Sequence, residues 1–496
     1  FAGCGPADPV APTAPPSQII EGTIRGPAGP LAQARVRIKG REPVALSDSA
    51  GRYQLPVGDL REGDRITAAK EGFFIGGIPA SANPEPLELV PLPERDNADY
   101  AWVSPHADPA AEHNCANCHT GIYKEWLASG HAHSATNRRF LNLYAGTDWN
   151  GRPNVGWSLA AEHPLGVGVC AACHAPGAEP SDPAIEDLTQ LTGVAAEGVH
   201  CDFCHKIREV PQQVLGITHG RYAVELLRPD HGQLFFGPLD DVDRGDDAFS
   251  PVQLESRYCA ACHEGTVFGA HAYGTFTEWE ASPAARQGKS CQTCHFANHG
   301  GITNIAPGKG GLERNPATLS SHGLFKKSQL AMLRDAVEII VRSEQADEGS
   351  KPSTKVEVTL TPRDIGHRLP TGFPDRHLLL VVEAFDAAGE PLPRTSGETL
   401  PAAAGPELAE LPGSLFAKVL TDGEGRWPIP FWRAVNEKFD TRLAPGRPYT
   451  GAFTFAGRAE NVRLRLLHRR FWAETAREKS WPDETLVIHD ERYPVK

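Results

Sequence analysis

Cys115-Ala116-Asn117-Cys118-His119 sets a pattern that recurs four more times along the chain. The other copies are Cys170-Ala171-Ala172-Cys173-His174, Cys201-Asp202-Phe203-Cys204-His205, Cys259-Ala260-Ala261-Cys262-His263 and Cys291-Gln292-Thr293-Cys294-His295. They take ten of the 11 cysteines in 496 residues, where random placement would give roughly 0.01 copies. Two thiols three residues apart can form thioethers with the two vinyl groups of one haem, and the adjacent histidine then lies under the iron as proximal ligand. Structural zinc would take cysteine pairs two at a time and would not need a histidine at one fixed offset. Disulfides leave the histidines unexplained, and dithiol redox motifs do not come in fives. The sequence therefore predicts five covalently attached haems c. They would be bound by these ten cysteines, with His119, His174, His205, His263 and His295 as proximal ligands.

Successive motifs start 55, 31, 58 and 32 residues apart, a long-short alternation that pairs the second haem with the third and the fourth with the fifth. Cys115 to His295 allows about 36 residues per haem, too few to bury five separate porphyrins. The haems are therefore expected to lie against one another, which is the condition for fast electron hopping.

A second axial histidine closes an iron to substrate, whereas a missing one leaves a position open for catalysis. Fifteen histidines remain after the proximal five. His131 follows the first motif at the end of a helical pattern with Ile122 and Trp126 on one face, and is the first choice. His322 and His367 come next, then His163, His200 and His271. His200 abuts Cys201, so it could serve only a neighbouring haem. No motif ends in lysine, and catalysis at one five-coordinate haem stays open. His468 and His489 receive no role.

The flanks read differently. Phe1-Ala2-Gly3-Cys4 resembles the lipobox of bacterial lipoproteins, implying a lipid anchor at Cys4, with a free or intermolecularly paired thiol as the alternative. Residues 1–17 are rich in Pro and Ala and read as a tether. Residues 18–92 read as a small β domain with strand runs at 19–24, 34–38, 51–55 and 65–69. Residues 93–330 hold the five motifs. From 331 to 496 cysteine vanishes, and a hairpin (337–341 with 355–360), an apolar run (377–385) and alternating stretches (449–455, 462–467) suggest an antiparallel β-sandwich. The expected fold is thus multidomain, with a haem-packed, mostly helical or irregular cytochrome c domain between two β-sandwiches. A net charge of −13 argues against nucleic acid as partner, and no run of 18 apolar residues is present to span a bilayer.

Two resemblances extend this reading. The stretch from Gly29 to Ile38, Ser47-Asp48-Ser49-Ala50-Gly51-Arg52-Tyr53-Gln54-Leu55 and Ala68-Ala69-Lys70-Glu71-Gly72-Phe73 resemble carboxypeptidase regulatory-like domains. That implies a seven-strand sandwich serving as spacer or docking module on an exported protein. Glu125-Trp126, Ser129 and His131, Gly198-Val199-His200-Cys201 through Lys206, Phe236-Gly237-Pro238, Tyr258 through Glu264, the fifth motif and Gly366-His367-Arg368-Leu369-Pro370-Thr371-Gly372 carry the second. They resemble a multihaem cytochrome c family related to the pentahaem nitrite reductase and hydroxylamine oxidoreductase superfamily. The resemblance implies His131, His322 and His367 as axial ligands. Phe296 stands where that family often has Met. The expected role is electron relay outside the cytoplasm, at the outer membrane or cell surface or in a homopolymeric filament, between redox partner proteins or to an extracellular acceptor. The alternative is an oxidoreductase acting on a small nitrogen or sulfur compound.

Overall fold

The computed structural model describes residues 18–178, 187–298, 301–324, 329–348 and 351–495. The tether at 1–17 and Cys4 lie outside the described residues. The chain divides into two compact units. The first holds the described residues through Ala101 together with His205–Arg208 and Leu226–Leu254.

In that unit, side chains alternate along Arg52–Val57: Tyr53, Leu55 and Val57 are buried while Arg52 and Gln54 face water, as a half-buried strand requires. It pairs antiparallel with Gln18–Gly26, which also pairs with Gly29–Pro30 and, in parallel, with Leu87–Glu88. A second four-stranded sheet runs in the order Ala45–Leu46, Arg35–Ile38, Arg65–Ala69, Gly76–Pro79. Ile20, Ile24, Val36, Ile38, Leu55 and Ile66 make the core between them. Each expected strand run overlaps one of these strands. The strands the sequence does not announce have only two to four residues, too short for a period-two pattern. Acids from the distant segment of the same unit pair with side chains on or next to the two inner strands of this sheet. Asp240 pairs with Arg35 at 2.6 Å and Arg37 at 3.0 Å, and Asp243 with Lys39 at 2.5 Å and Arg65 at 2.6 Å.

The second unit contains four of the motifs complete and a large β-sandwich. Its motif segment is more irregular than helical. The longest described helices there, Thr120–Leu127 and Arg138–Ala145, have eight residues each. Arg138–Ala145 is bounded by local chemistry: Asn137 Oδ1 accepts from the Phe140 amide at 3.0 Å, and Gly146 stops the helix at φ +69°.

The sandwich pairs two antiparallel sheets. One has the order Val337–Glu348, Lys351–Pro362, Tyr449–Ala456, Arg394–Ser396. The other has the order Asn436–Asp440, Gly413–Thr421, His377–Phe385, Asn461–Arg469, Leu486–Pro494. His377–Phe385 is apolar without alternation because both of its faces are covered. Leu378, Leu380 and Val382 enter the core between the sheets. Leu379 and Val381 pack under Leu400, Ala404 and Leu408 on the outer side. The expected hairpin is present with Val341 opposite Val358.

Candidate metal centre

Every Cys-x-x-Cys-His copy contains at least one helical turn: Cys115–Asn117, Ala171–His174, Cys201–His205, Arg257–His263 and Cys291–His295. On a helical turn residues i, i+3 and i+4 share a face, so in the third, fourth and fifth copies, which lie wholly within one such helix, both thiols and the imidazole share a face. All ten cysteines are free thiols. The Cys259 thiol lies near that of Cys291, and the Cys262 thiol near that of Cys173. The fourth copy therefore lies beside the fifth, its neighbour at the short spacing, and also the second, which the spacing did not indicate.

Four of the five motif histidines share an orientation device. Nδ1 of His119 donates to the Ile305 carbonyl at 2.8 Å and that of His174 to Ser134 at 3.0 Å. Nδ1 of His205 donates to Phe236 at 2.6 Å, and that of His295 to Leu324 at 3.3 Å. A backbone acceptor on Nδ1 fixes the tautomer and directs the Nε2 lone pair outward, as a metal-binding imidazole needs. His174 is further held flat against Phe140, ring centres 3.8 Å apart and planes 5° from parallel.

Two of the candidate distal histidines face proximal ones. His131 lies 6.3 Å, centre to centre, from His263, and His367 lies 6.2 Å from His295. An iron held by two imidazoles at about 2 Å each, with roughly 1.1 Å from nitrogen to ring centre, sets the centres about 6.3 Å apart. The two pairs fit a six-coordinate haem iron. Burial pushes the His131 imidazole down to about 4 and His263 to about 3. Both are neutral at ordinary pH, the form that ligates. Among the described residues no three or more His, Cys, Asp or Glu side chains converge on a metal-sized point. The four-ligand set of a structural zinc is not formed there, whereas a porphyrin iron asks the chain for two axial ligands.

The loops carrying these two histidines are pinned. Val199 donates its amide to the His131 carbonyl at 3.0 Å, and Trp126 Nε1 donates to the Val199 carbonyl at 2.9 Å. This close approach needs Gly198, whose φ is +68° and where an added Cβ would stand 2.4 Å from the His131 oxygen. The His367 loop is clamped by Glu278, on the helix Thr275–Glu280. Glu278 accepts from the Arg368 amide at 3.1 Å and the Thr371 hydroxyl at 2.7 Å, and pairs with Arg442 at 2.7 Å. Arg442 also pairs with Asp440 at 2.8 Å. His367 Nδ1 donates to the Arg368 carbonyl at 2.9 Å, which fixes the tautomer with the lone pair on Nε2.

The remaining candidates stand elsewhere. His322 donates its backbone amide to Glu125 at 2.7 Å, and its ring meets Phe296 edge-on at 6.0 Å. His163 caps the turn Leu159–Glu162 and packs on Phe268 at 4.4 Å. His200 is fully buried beside Trp102, and its Nε2 points at Gly177 so closely that a Cβ there would meet it at 2.3 Å. His271 gives its Nε2 to the Glu264 carboxylate at 2.7 Å.

Sequence reasoning missed Glu278, Arg442 and Asp440, which form a polar network behind a ligand loop and carry no motif. It also left His219 unassigned. The buried Nδ1 of His219 has no hydrogen-bond partner among the described residues. Gly220, next to it, lies directly against the backbone of Ala172 in the second copy.

Residues 114–206, which hold three of the five motifs, match the family described as cytochrome c554 and c-prime. A penta-heme cytochrome c552 from Thermochromatium tepidum is similar in fold. It is 23% identical with a TM-score of 0.53, over 77% of this chain and 97% of the other. No curated protein matches the chain. No helix among the described residues is long and apolar enough to cross a membrane.

Proposed function

We propose that this multihaem cytochrome c relays electrons through five haems in near contact, outside the cytoplasm. Haem c, when bound, supplies a one-electron ferric/ferrous couple. The chain's part is attachment, orientation and closure. The ten motif thiols would anchor the porphyrins, and His119, His174, His205, His263 and His295 would hold the irons from one side. His131 would ligate opposite His263, and His367 opposite His295. His322, His163, His200 and His271 remain the candidates proposed from sequence for the other three centres, with His271 the weakest because Glu264 takes its Nε2.

The observation that carries the relay reading is the two facing imidazole pairs at 6.2 and 6.3 Å. A centre closed by two imidazoles has no place for substrate and can only pass charge. The nearness of the Cys259 and Cys291 sulfurs, and of the Cys262 and Cys173 sulfurs, supports neighbouring centres lying close together. Electron paramagnetic resonance of the oxidised protein tests this reading. Wholly low-spin ferric haem supports a carrier, and a high-spin fraction that binds nitrite, hydroxylamine or sulfite supports the oxidoreductase reading.

Placement at the cell surface belongs to the same proposal, either through a lipid on Cys4 or as a homopolymer with end haems meeting between copies. Support comes from the N-terminal sandwich, a module with no cysteine or histidine of its own in residues 18–92. Fractionation together with the mass of the N-terminal peptide separates the two forms.

A further inference from the structure

Tyr123, His106 and Glu197 form a hydrogen-bonded chain beside the first motif. The Tyr123 hydroxyl lies 2.8 Å from His106 Nδ1, and His106 Nε2 lies 2.8 Å from Glu197 Oε2. The chain is satisfied when Nε2–H donates to the carboxylate and the phenol donates to the lone pair of Nδ1. His106 is thus turned the other way from the four motif histidines whose Nδ1 donates to a carbonyl. Both of its ring nitrogens are engaged, which leaves none for an iron.

The motif itself fixes this chain in place. The Cys115 and Ala116 amides donate to the Ser104 and Pro105 carbonyls at 3.2 and 3.1 Å, so the two residues before His106 are bonded to the motif. Tyr123 stands one helical turn past His119, with its amide on the His119 carbonyl at 2.8 Å. Glu197 ends the turn Gly193–Glu197. Trp126, which is buried, packs against both rings, 6.3 Å from His106 and 6.0 Å from Tyr123 between centres. The His106 side chain is 42% exposed and that of Glu197 30%, so the chain reaches solvent.

A phenol that loses an electron becomes a strong acid, and its proton must leave with the electron. Nδ1 of His106 is in place to take that proton. Glu197 behind it stabilises the imidazolium that forms, as a carboxylate does behind the imidazole of a proton-transfer triad.

We propose that Tyr123 is a redox-active tyrosine that reduces strong one-electron oxidants of the peroxyl-radical class arriving from solvent. The oxidant takes one electron from Tyr123, the phenolic O–H bond breaks, and an N–H bond forms at His106 Nδ1. A neutral phenoxyl radical then stands beside an imidazolium. One electron from the relay restores the phenol as the proton returns to its oxygen. The return step rests on the haem reading above, and the first step does not.

The test oxidises the haem-loaded protein with photogenerated tris(bipyridine)ruthenium(III), a one-electron oxidant, and reads the freeze-quenched sample by electron paramagnetic resonance. Wild type is expected to give a tyrosyl radical signal that Y123F lacks, although eight of the nine tyrosines remain in it. H106Q can accept the same hydrogen bond but no proton, and E197Q keeps the bond without the charge. Each is expected to yield about tenfold less radical, the effect of roughly one pKa unit of lost basicity. Equal radical yield in Y123F or in H106Q overturns the proposal. The radical is expected to decay faster in partly reduced than in fully ferric protein, and an equal lifetime overturns the return step. A wild-type protein that forms the Tyr123 radical but carries no haem overturns the haem reading and leaves the first step standing. If Y123F does not accumulate, hyperfine coupling in the wild-type radical decides. Coupling to an imidazole nitrogen supports the proposal, and a radical without it overturns it.

Discussion

His367 and His295 lie 6.2 Å apart with ring planes 13° from parallel, although they stand 72 positions apart in the chain and one comes from a loop between two strands of the C-terminal sandwich. A strand-to-strand loop of that sandwich thus brings a second imidazole beside that of the last motif. Replacing His367 with Ala is expected to leave all five haems attached, since none of the ten thiols is touched. One centre should become high-spin, seen in electron paramagnetic resonance and as a charge-transfer band. An all-low-spin spectrum in H367A would mean that another side chain serves the fifth motif.

Glu278 holds that loop from behind, and its own side chain is 10% exposed while that of Arg442 is 6% exposed. Breaking a buried pair costs about 3–5 kcal/mol where the other charge is left alone. R442M takes the shared guanidinium from both Glu278 and Asp440 and is expected to lower the unfolding free energy by that order, whereas E278A leaves Arg442 with Asp440 and is expected to cost less, about 1–3 kcal/mol. The double variant should lose less than the sum, because Glu278 is then not left without its cation. Additive losses in thermal or denaturant unfolding would show that the two side chains act separately.

Gly198 is the point where the chain leading into the third motif touches the carbonyl of His131. At φ +68° a β-carbon is strained and would also meet that oxygen at 2.4 Å. G198A is expected to cost about 1–3 kcal/mol and to loosen the His131–His263 centre. The check is a lower unfolding midpoint together with a high-spin signal at one haem. A variant as stable as wild type with an unchanged spectrum would remove Gly198 from the account of the site.

How much of this was readable beforehand differs from link to link. The attachment chemistry was legible because a thioether pair needs one fixed local spacing, Cys115 to Cys118 with His119 adjacent. His131 and His367 were legible as candidates, from the residues around them, while the imidazoles beside which they lie were not. That His131 stands beside the histidine of the fourth motif, not of the first that it follows, is decided by tertiary packing through Gly198 and Trp126. The strands 377–385 and 449–456 announced themselves by apolar runs and alternation. Glu278 reads in sequence as one more acid on a short helix. Its role exists only once the 366–376 loop is folded against it.

Asp243 offers a control away from the centre. Its side chain is 3% exposed and faces Lys39 and Arg65, which are 19% and 39% exposed. Because those partners are partly solvated, D243N is expected to cost about 1–3 kcal/mol, less than a fully buried pair. The loss should appear as earlier unfolding of the N-terminal sandwich, with the haem spectrum of the second unit's centres unchanged. A spectral change at those centres would contradict the independence of this ion-pair cluster from the haem sites.

The most direct measurement is the intact mass of the denatured, purified chain after acidic organic extraction. Five haem masses are expected to remain on the polypeptide, one for each Cys-x-x-Cys-His copy, with the extract colourless. A bare polypeptide mass, or pigment passing into the organic phase, would contradict covalent attachment and with it the reading of every site described above.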